Sequence, residues 1–174
     1  MAPRAVVVGP PGAGKTTIGR LLAERFGVAF RDTDDDVVRT TGRAIADIFA
    51  TDGEPAFREL EEAAVETALR EHDGVLALGG GAVLSERTRE RLAGHPVVFL
   101  SVGLAEGAKR VGLSTARPLL AGVNPRATFK ALLEARVPIY RSVATVEVAT
   151  DHVEPDEVVA KVVAALSAPS AASS

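Results

Sequence analysis

Residues 9–16 read Gly-Pro-Pro-Gly-Ala-Gly-Lys-Thr, and no other stretch restricts the fold of this chain so tightly. The pattern is G-x-x-x-x-G-K-[ST], a loop whose glycines let successive backbone N–H groups turn inward onto phosphate oxygens. Such a loop works between a buried strand and the start of a helix, whose positive end adds to the cradle. Both flanks are present: residues 5–9, Ala-Val-Val-Val-Gly, read as a strand and residues 16–26 as a helix. The motif therefore predicts an α/β protein that binds a nucleoside triphosphate through residues 12–17. Lys15 would be the mobile cation for the β- and γ-phosphates, and the Thr16 hydroxyl a ligand for Mg²⁺.

Short β-branched runs recur along the chain. Residues 28–32, 74–78, 96–102 and 144–150 complete a set of five candidate strands. Runs such as Val6-Val7-Val8 suit parallel strands covered on both faces. The stretches between them carry helical periodicity. Phe57, Leu60, Ala64, Val65, Ala68 and Leu69 fall on one face of a long helix, and residues 156–166 form a last helix opened by Pro155. Alternating strands and helices imply βαβ units and a five-stranded parallel sheet. Residues 33–73 are too many for one crossover helix and predict a small inserted helical lobe. Residues 111–126, with Gly112, Pro118, Gly122 and Pro125, show no clean period and predict an irregular loop or lid. Residues 167–174 are small and polar, as in a frayed tail.

With 174 residues the chain is expected to form one domain with a core of its own. It holds no cysteine, which excludes disulfides and thiolate metal sites, and its net charge of −3 argues against a nucleic-acid partner. No apolar run is long enough to span a membrane, and the N-terminus lacks a signal-peptide pattern, so a cytoplasmic location is expected. Of the 20 basic residues four are lysine and the other sixteen arginine, the better fork for carboxylates and phosphates.

A triphosphate-binding loop leaves several functions open. A guanine-reading switch would carry Asn-Lys-x-Asp, and none occurs. A motor ATPase would end a hydrophobic strand in an acidic pair, but the third strand runs into Gly79-Gly80-Gly81. The only strand ending in acid is the second, in Asp32-Thr33-Asp34, at the edge of the sheet where open α/β folds bind ligands. In extended chain Asp32 and Asp34 would share a side, one facing Mg²⁺ through its water and the other a substrate hydroxyl as general base. Helix capping by Asp34, Asp35 and Asp36 accounts for the same residues equally well. Asp35 and Asp36 read as solvated or capping charges. Arg58 reads most simply as an exposed i,i+4 partner of Glu62, and Arg110, Arg117 and Arg136 as separate surface arginines. Three consecutive glycines suggest close approach to a ligand or another segment. His72, His95 and His152 lack metal-ligand spacing and read as surface residues.

Taken together the motifs resemble the shikimate kinase family, and its actinobacterial members most. The resemblance runs through the phosphate loop, Asp32-Thr33-Asp34, Thr41-Gly42, Ile45-Ala46-Asp47-Ile48-Phe49, Gly53-Glu54 and Phe57-Arg58-x-x-Glu61. It continues through Gly79-Gly80-Gly81-Ala82-Val83, Arg117-Pro118-Leu119-Leu120 and Arg136-x-Pro138-x-Tyr140.

The resemblance implies a P-loop fold of nucleoside-monophosphate-kinase shape. It also implies transfer of the ATP γ-phosphoryl group to the 3-hydroxyl of shikimate, in the pathway to chorismate and the aromatic amino acids. By the same resemblance Asp34 would deprotonate the hydroxyl. Arg58 and Arg136 would hold the carboxylate, with Glu61, Gly79, Gly80 and Gly81 in the same pocket. Phe49, Phe57, Pro118 and Leu119 would form its apolar walls. Gly12, Ala13, Gly14, Lys15, Thr16 and Thr17 would bind phosphates, Arg110 and Pro155 would hold adenine, and Thr16 with Asp32 would position Mg²⁺. Arg117 would close over the phosphates on a lid at about 112–124, the acceptor lobe would span about 33–61, and the enzyme would act as a monomer. A related small-molecule kinase, such as a gluconate kinase, is the alternative, and a silent ATP-binding regulatory module a third reading.

Overall fold

The computed structural model describes residues 2–112 and 124–168. Among these, five parallel strands form one sheet: β1 (Ala5–Val8), β2 (Phe30–Asp32), β3 (Val75–Ala77), β4 (Val97–Ser101) and β5 (Val146–Ala149). Their order across the sheet is β2-β3-β1-β4-β5. The central β1 pairs with β3 on one side, Ala5 opposite Val75, and with β4 on the other, Val6 opposite Val97. The element order β1-α1-β2 and onward is the alternation expected of right-handed βαβ crossovers.

Both faces of the sheet are covered, which is why the strands read as unbroken apolar runs. Val7 and Ala77 face a cluster that includes Ile18 and Leu22 of α1 (Lys15–Phe26), Phe129 of α7 (Pro125–Val143), and Val158 and Val162 of α8 (Pro155–Ser167). Val6, Val8, Leu76 and Phe99 face the other side. They meet Val65 and Leu69 of α4 (Glu54–Glu71), Leu92 of α5 (Glu86–Leu92), and Tyr140. A third, small cluster of Val37, Ile48 and Phe57 ties α2 (Thr33–Thr41) and α3 (Ile45–Asp52) to the start of α4. These three helices account for the long segment after β2.

Local chemistry moves several boundaries from their expected places. Residues 111–112 close α6 (Leu104–Gly112) and residues 125–126 open α7, so both ends of the stretch expected to be irregular are helical. Pro125 sits in the first turn, where proline is pre-organised and its missing N–H is no loss. The stretch between, with Arg117, Pro118 and Leu119, lies outside the described residues. Ser167 ends α8 instead of opening a tail. His72 is buried, its Nε2 3.0 Å from the carbonyl of Val75, so it is no surface residue. Asp36 is likewise buried, with Arg31 Nε at 2.8 Å and Arg39 Nη2 at 3.0 Å. Two guanidinium groups offset the desolvation of that carboxylate, which neither capping nor solvation required.

Candidate active site

The phosphate loop joins β1 to α1. Gly12 and Gly14 have φ of 82° and 90°, a region that side chains disfavour, and Gly14 is the cap of α1. Ala13 is buried beneath the loop in the core. Lys15 Nζ donates to the carbonyls of Gly9 (2.9 Å) and Pro10 (3.1 Å). A cavity of about 270 Å³ opens above, lined by Gly12, Gly14, Lys15, Thr16, Thr17, Asp32, Asp34, Leu78, Arg110 and Val111.

Arg110 reaches this cavity from α6. It donates to the Gly12 carbonyl (3.0 Å), to Thr150 Oγ1 (3.1 Å) and to the Thr150 carbonyl (3.0 Å). It thereby ties the phosphate loop to the turn before α8, where Pro155 is exposed at the first helical position. Pro155 is not among the residues lining the cavity.

Asp32 and Asp34 do share this site, but not through strand alternation. The strand ends at Asp32, whose Oδ1 accepts from the Asp34 N–H at 2.9 Å and caps α2. Capping therefore falls to Asp32, and Asp34 lies in the first helical turn with its carboxylate turned to the glycines after β3. Burial and the neighbouring Asp34 charge push the Asp32 carboxyl up to about 6. Its Oδ2 lies 3.4 Å from the Thr16 hydroxyl.

The three glycines after β3 form a bare ledge with a different side chain over each. A Cβ on Gly79 would lie 2.7 Å from both Asp34 Oδ1 and Glu61 Oε2. On Gly80 it would lie 3.3 Å from Pro11 Cδ and 3.6 Å from Arg136 Nη1. On Gly81 it would overlap the Arg58 guanidinium. The glycine run is thus explained by what passes over it, with no unusual φ required at any of the three.

Arg58 pairs with Glu61 (2.8 Å) and Glu54 (3.2 Å), while Glu62, its expected partner, accepts from Ser85. Helix α4 carries Glu61 toward the sheet and Glu62 away from it, which decides between them. The Arg58 guanidinium also lies over the rings of Phe57 (5.4 Å) and Phe49 (5.9 Å), which pack together at 4.8 Å. Glu61 is buried, which raises its pKa against the pull of Arg58. Arg136 is only 7% exposed, and its Nη1 has no hydrogen-bond partner among the described residues. A buried guanidinium nitrogen without a partner is costly, and this one, beside Gly80, is where a bound anion could satisfy it.

The site thus brings together Lys15, Thr16, Asp32, Asp34, Arg58, Glu61, Gly79, Gly80, Gly81 and Arg136. Leu78, Val111 and Thr150 had no signal in the sequence; they enter through the fold alone.

A sequence model of the family "Shikimate kinase" matches residues 11–167. The chain belongs to the shikimate kinase family. It is 74% identical over 172 residues to a shikimate kinase of the actinobacterium Saccharopolyspora erythraea, covering 99% of this chain and 98% of that one. Among solved structures it resembles shikimate kinase from Acinetobacter baumannii in complex with shikimate. The TM-score there is 0.91 at 35% identity, over 95% of this chain and 93% of that one. A gluconokinase from Sinorhizobium meliloti gives a TM-score of 0.53 at 20% identity, over 93% and 90%, a likeness of fold alone. The shikimate kinase fold, a P-loop sheet of nucleoside-monophosphate-kinase type, is the one described above. No helix among the described residues is long and apolar enough to cross a membrane.

Proposed function

We propose that this chain transfers the γ-phosphoryl group of ATP to the 3-hydroxyl of shikimate, yielding shikimate 3-phosphate and ADP. Family membership supports the reaction, and one observation supports its acceptor: the buried Arg136 Nη1, without a partner among the described residues, beside Arg58 on the same glycine ledge. Two guanidinium forks suit a carboxylate held remote from the reacting oxygen. The phenyl rings of Phe49 and Phe57 suit the apolar face of a small ring.

Phosphoryl transfer depends on alignment and charge neutralisation more than on covalent help from the protein. Lys15 would exchange its loop carbonyls for the β- and γ-phosphates. Asp34, on the first turn of α2 between the phosphate cavity and the ledge, would take the proton of the attacking hydroxyl. Arg110 and Pro155 would flank the base, with Arg117, Pro118 and Leu119 closing the acceptor side.

Mg²⁺ is the metal this site suits. Among the described residues no three His, Cys, Asp or Glu side chains gather as a metal cage, so water and phosphate oxygens would complete the shell. Thr16 and Asp32 offer the paired hard oxygens that Mg²⁺ accepts beside phosphates. When bound it would neutralise charge on the bridging phosphate oxygens.

ADP release measured with shikimate, gluconate and no acceptor tests the proposal. Shikimate-dependent release is expected; release driven equally by gluconate, or without acceptor, would overturn it.

A further inference from the structure

The Arg136-x-Pro138-x-Tyr140 motif holds a residue that the mechanism above does not use. Tyr140 is fully buried, its ring packed on Phe99 at 5.1 Å, and its hydroxyl donates to the carbonyl of Gly80 at 2.5 Å. Burial pushes the phenol up to about 12, so it stays a donor throughout the neutral range. The Arg136 guanidinium lies one helical turn back on α7, its Nη1 3.6 Å from where a Cβ on Gly80 would stand.

Gly80 is where the two halves of the site touch. A Cβ there would meet Pro11 Cδ at 3.3 Å, and the Gly9 carbonyl of the phosphate loop and Arg136 Nη1 both at 3.6 Å. Whatever holds the Gly80 carbonyl sets the placement of the acceptor arginine against the phosphate donor. We propose that Tyr140 is a positioning residue that does this, its hydroxyl holding Gly80 in place beneath Arg136 and against the phosphate loop. The inference rests on the reading of Arg136 as the acceptor-carboxylate clamp.

Tyr140→Phe in the full chain keeps the ring and its packing and deletes one oxygen. The expected loss in kcat/KM for shikimate is on the order of tenfold, as for one buried hydrogen bond whose acceptor is left unpaired. It should divide between a raised KM for shikimate and a lowered kcat, with KM for ATP changed by less than about twofold. A merely structural role would reduce the active fraction and leave both KM values alone. A double-mutant cycle with Arg136→Ala adds a second readout, since a residue acting through Arg136 should show strongly non-additive effects. The chain has one tyrosine and no tryptophan, so alkaline tyrosinate absorbance reports this residue alone. Titration near 12 in the folded protein is expected. Wild-type kinetics in Tyr140→Phe, additive effects with Arg136→Ala, or titration at the ordinary value near 10 would each overturn the positioning role. Absence of shikimate turnover in the wild-type chain would instead overturn the acceptor reading, and this inference with it.

Discussion

Nη1 of Arg58 lies 2.8 Å from Oε1 of Glu61, one turn further along α4, and that carboxylate is nearly inaccessible to solvent. The pair holds the guanidinium over Gly81, where it can meet a substrate carboxylate while staying anchored from behind. Glu61→Gln keeps an acceptor oxygen but removes the charge. KM for shikimate should rise about tenfold with kcat nearly intact, as for a weakened charge-assisted bond. Because burial raises the Glu61 pKa, the wild-type KM should climb as acid protonates it, and the Gln variant should lack that dependence. Steady-state kinetics across pH check both statements.

Single alanines on the ledge should separate its functions. Gly79→Ala would crowd Asp34 and Glu61 and should chiefly lower kcat, whereas Gly81→Ala would displace Arg58 and should chiefly raise KM for shikimate. Neither glycine has a positive φ, so both variants should keep their melting temperatures within a few degrees, about 1 kcal/mol of stability. Identical kinetic profiles for the two would refute this division.

Asp34→Asn retains shape but cannot accept a proton. A loss of about 10²–10⁴-fold in kcat is expected, with ATP binding preserved. Calorimetric ATP titration separates this from a role in metal binding, which would weaken ATP as well.

Lys15→Met should lower turnover by about 10²–10³-fold, the worth of one preorganised contact to transition-state charge. Its circular dichroism spectrum should match the parent, because Lys15 is only partly buried and its ammonium group bonds to carbonyls of the loop itself. Near-normal activity would refute the role.

Asp32 trades stability for chemistry. Its carboxyl titrates near 6 in the fold against 3.8 when unperturbed, so the folded state binds its proton more tightly. Stability from this group is full below the unfolded value and lost as pH rises through about 6. A tenfold change in proton affinity is worth about 1.4 kcal/mol. Asp32→Asn, which can still cap α2, should therefore be more stable at pH 7 by about 1–3 kcal/mol and show little gain near pH 4. Mg²⁺-dependent turnover should fall. Thermal melts at the two pH values decide, and destabilisation at pH 7 would contradict the sign.

The phosphate loop and the five strands are legible in the sequence because a parallel sheet buried on both faces writes itself as apolar runs. Asp36 and His72 are not: their partners stand within five residues, Arg31 and Arg39 for the first and the Val75 carbonyl for the second, but burial is set by packing that sequence spacing does not show. Spacing points Arg58 to the wrong glutamate since i+3 and i+4 are equally good, and only the packed side of α4 distinguishes Glu61 from Glu62. The start of α7 is hidden because Pro125 looks like a breaker unless its place in the first turn is known. Family resemblance points to Arg136 as a substrate ligand, but that its Nη1 lacks a partner among the described residues emerges only in three dimensions.

The strand order has a consequence for how such an enzyme can change. The loop after β1 would bind the phosphoryl donor and the ledge after β3 lies under the side chains that would hold the acceptor, and these two strands are hydrogen-bonded neighbours. The loop and the ledge are therefore rooted one interstrand repeat apart, about 4.8 Å, a length set by peptide hydrogen bonds and nearly indifferent to side chains. Side chains on α3 and α4 could be exchanged to recognise a different alcohol without altering that spacing, while Asp34 at the start of α2 would have to stay. Reactivity is inherited with the backbone, and selectivity is repainted on top of it.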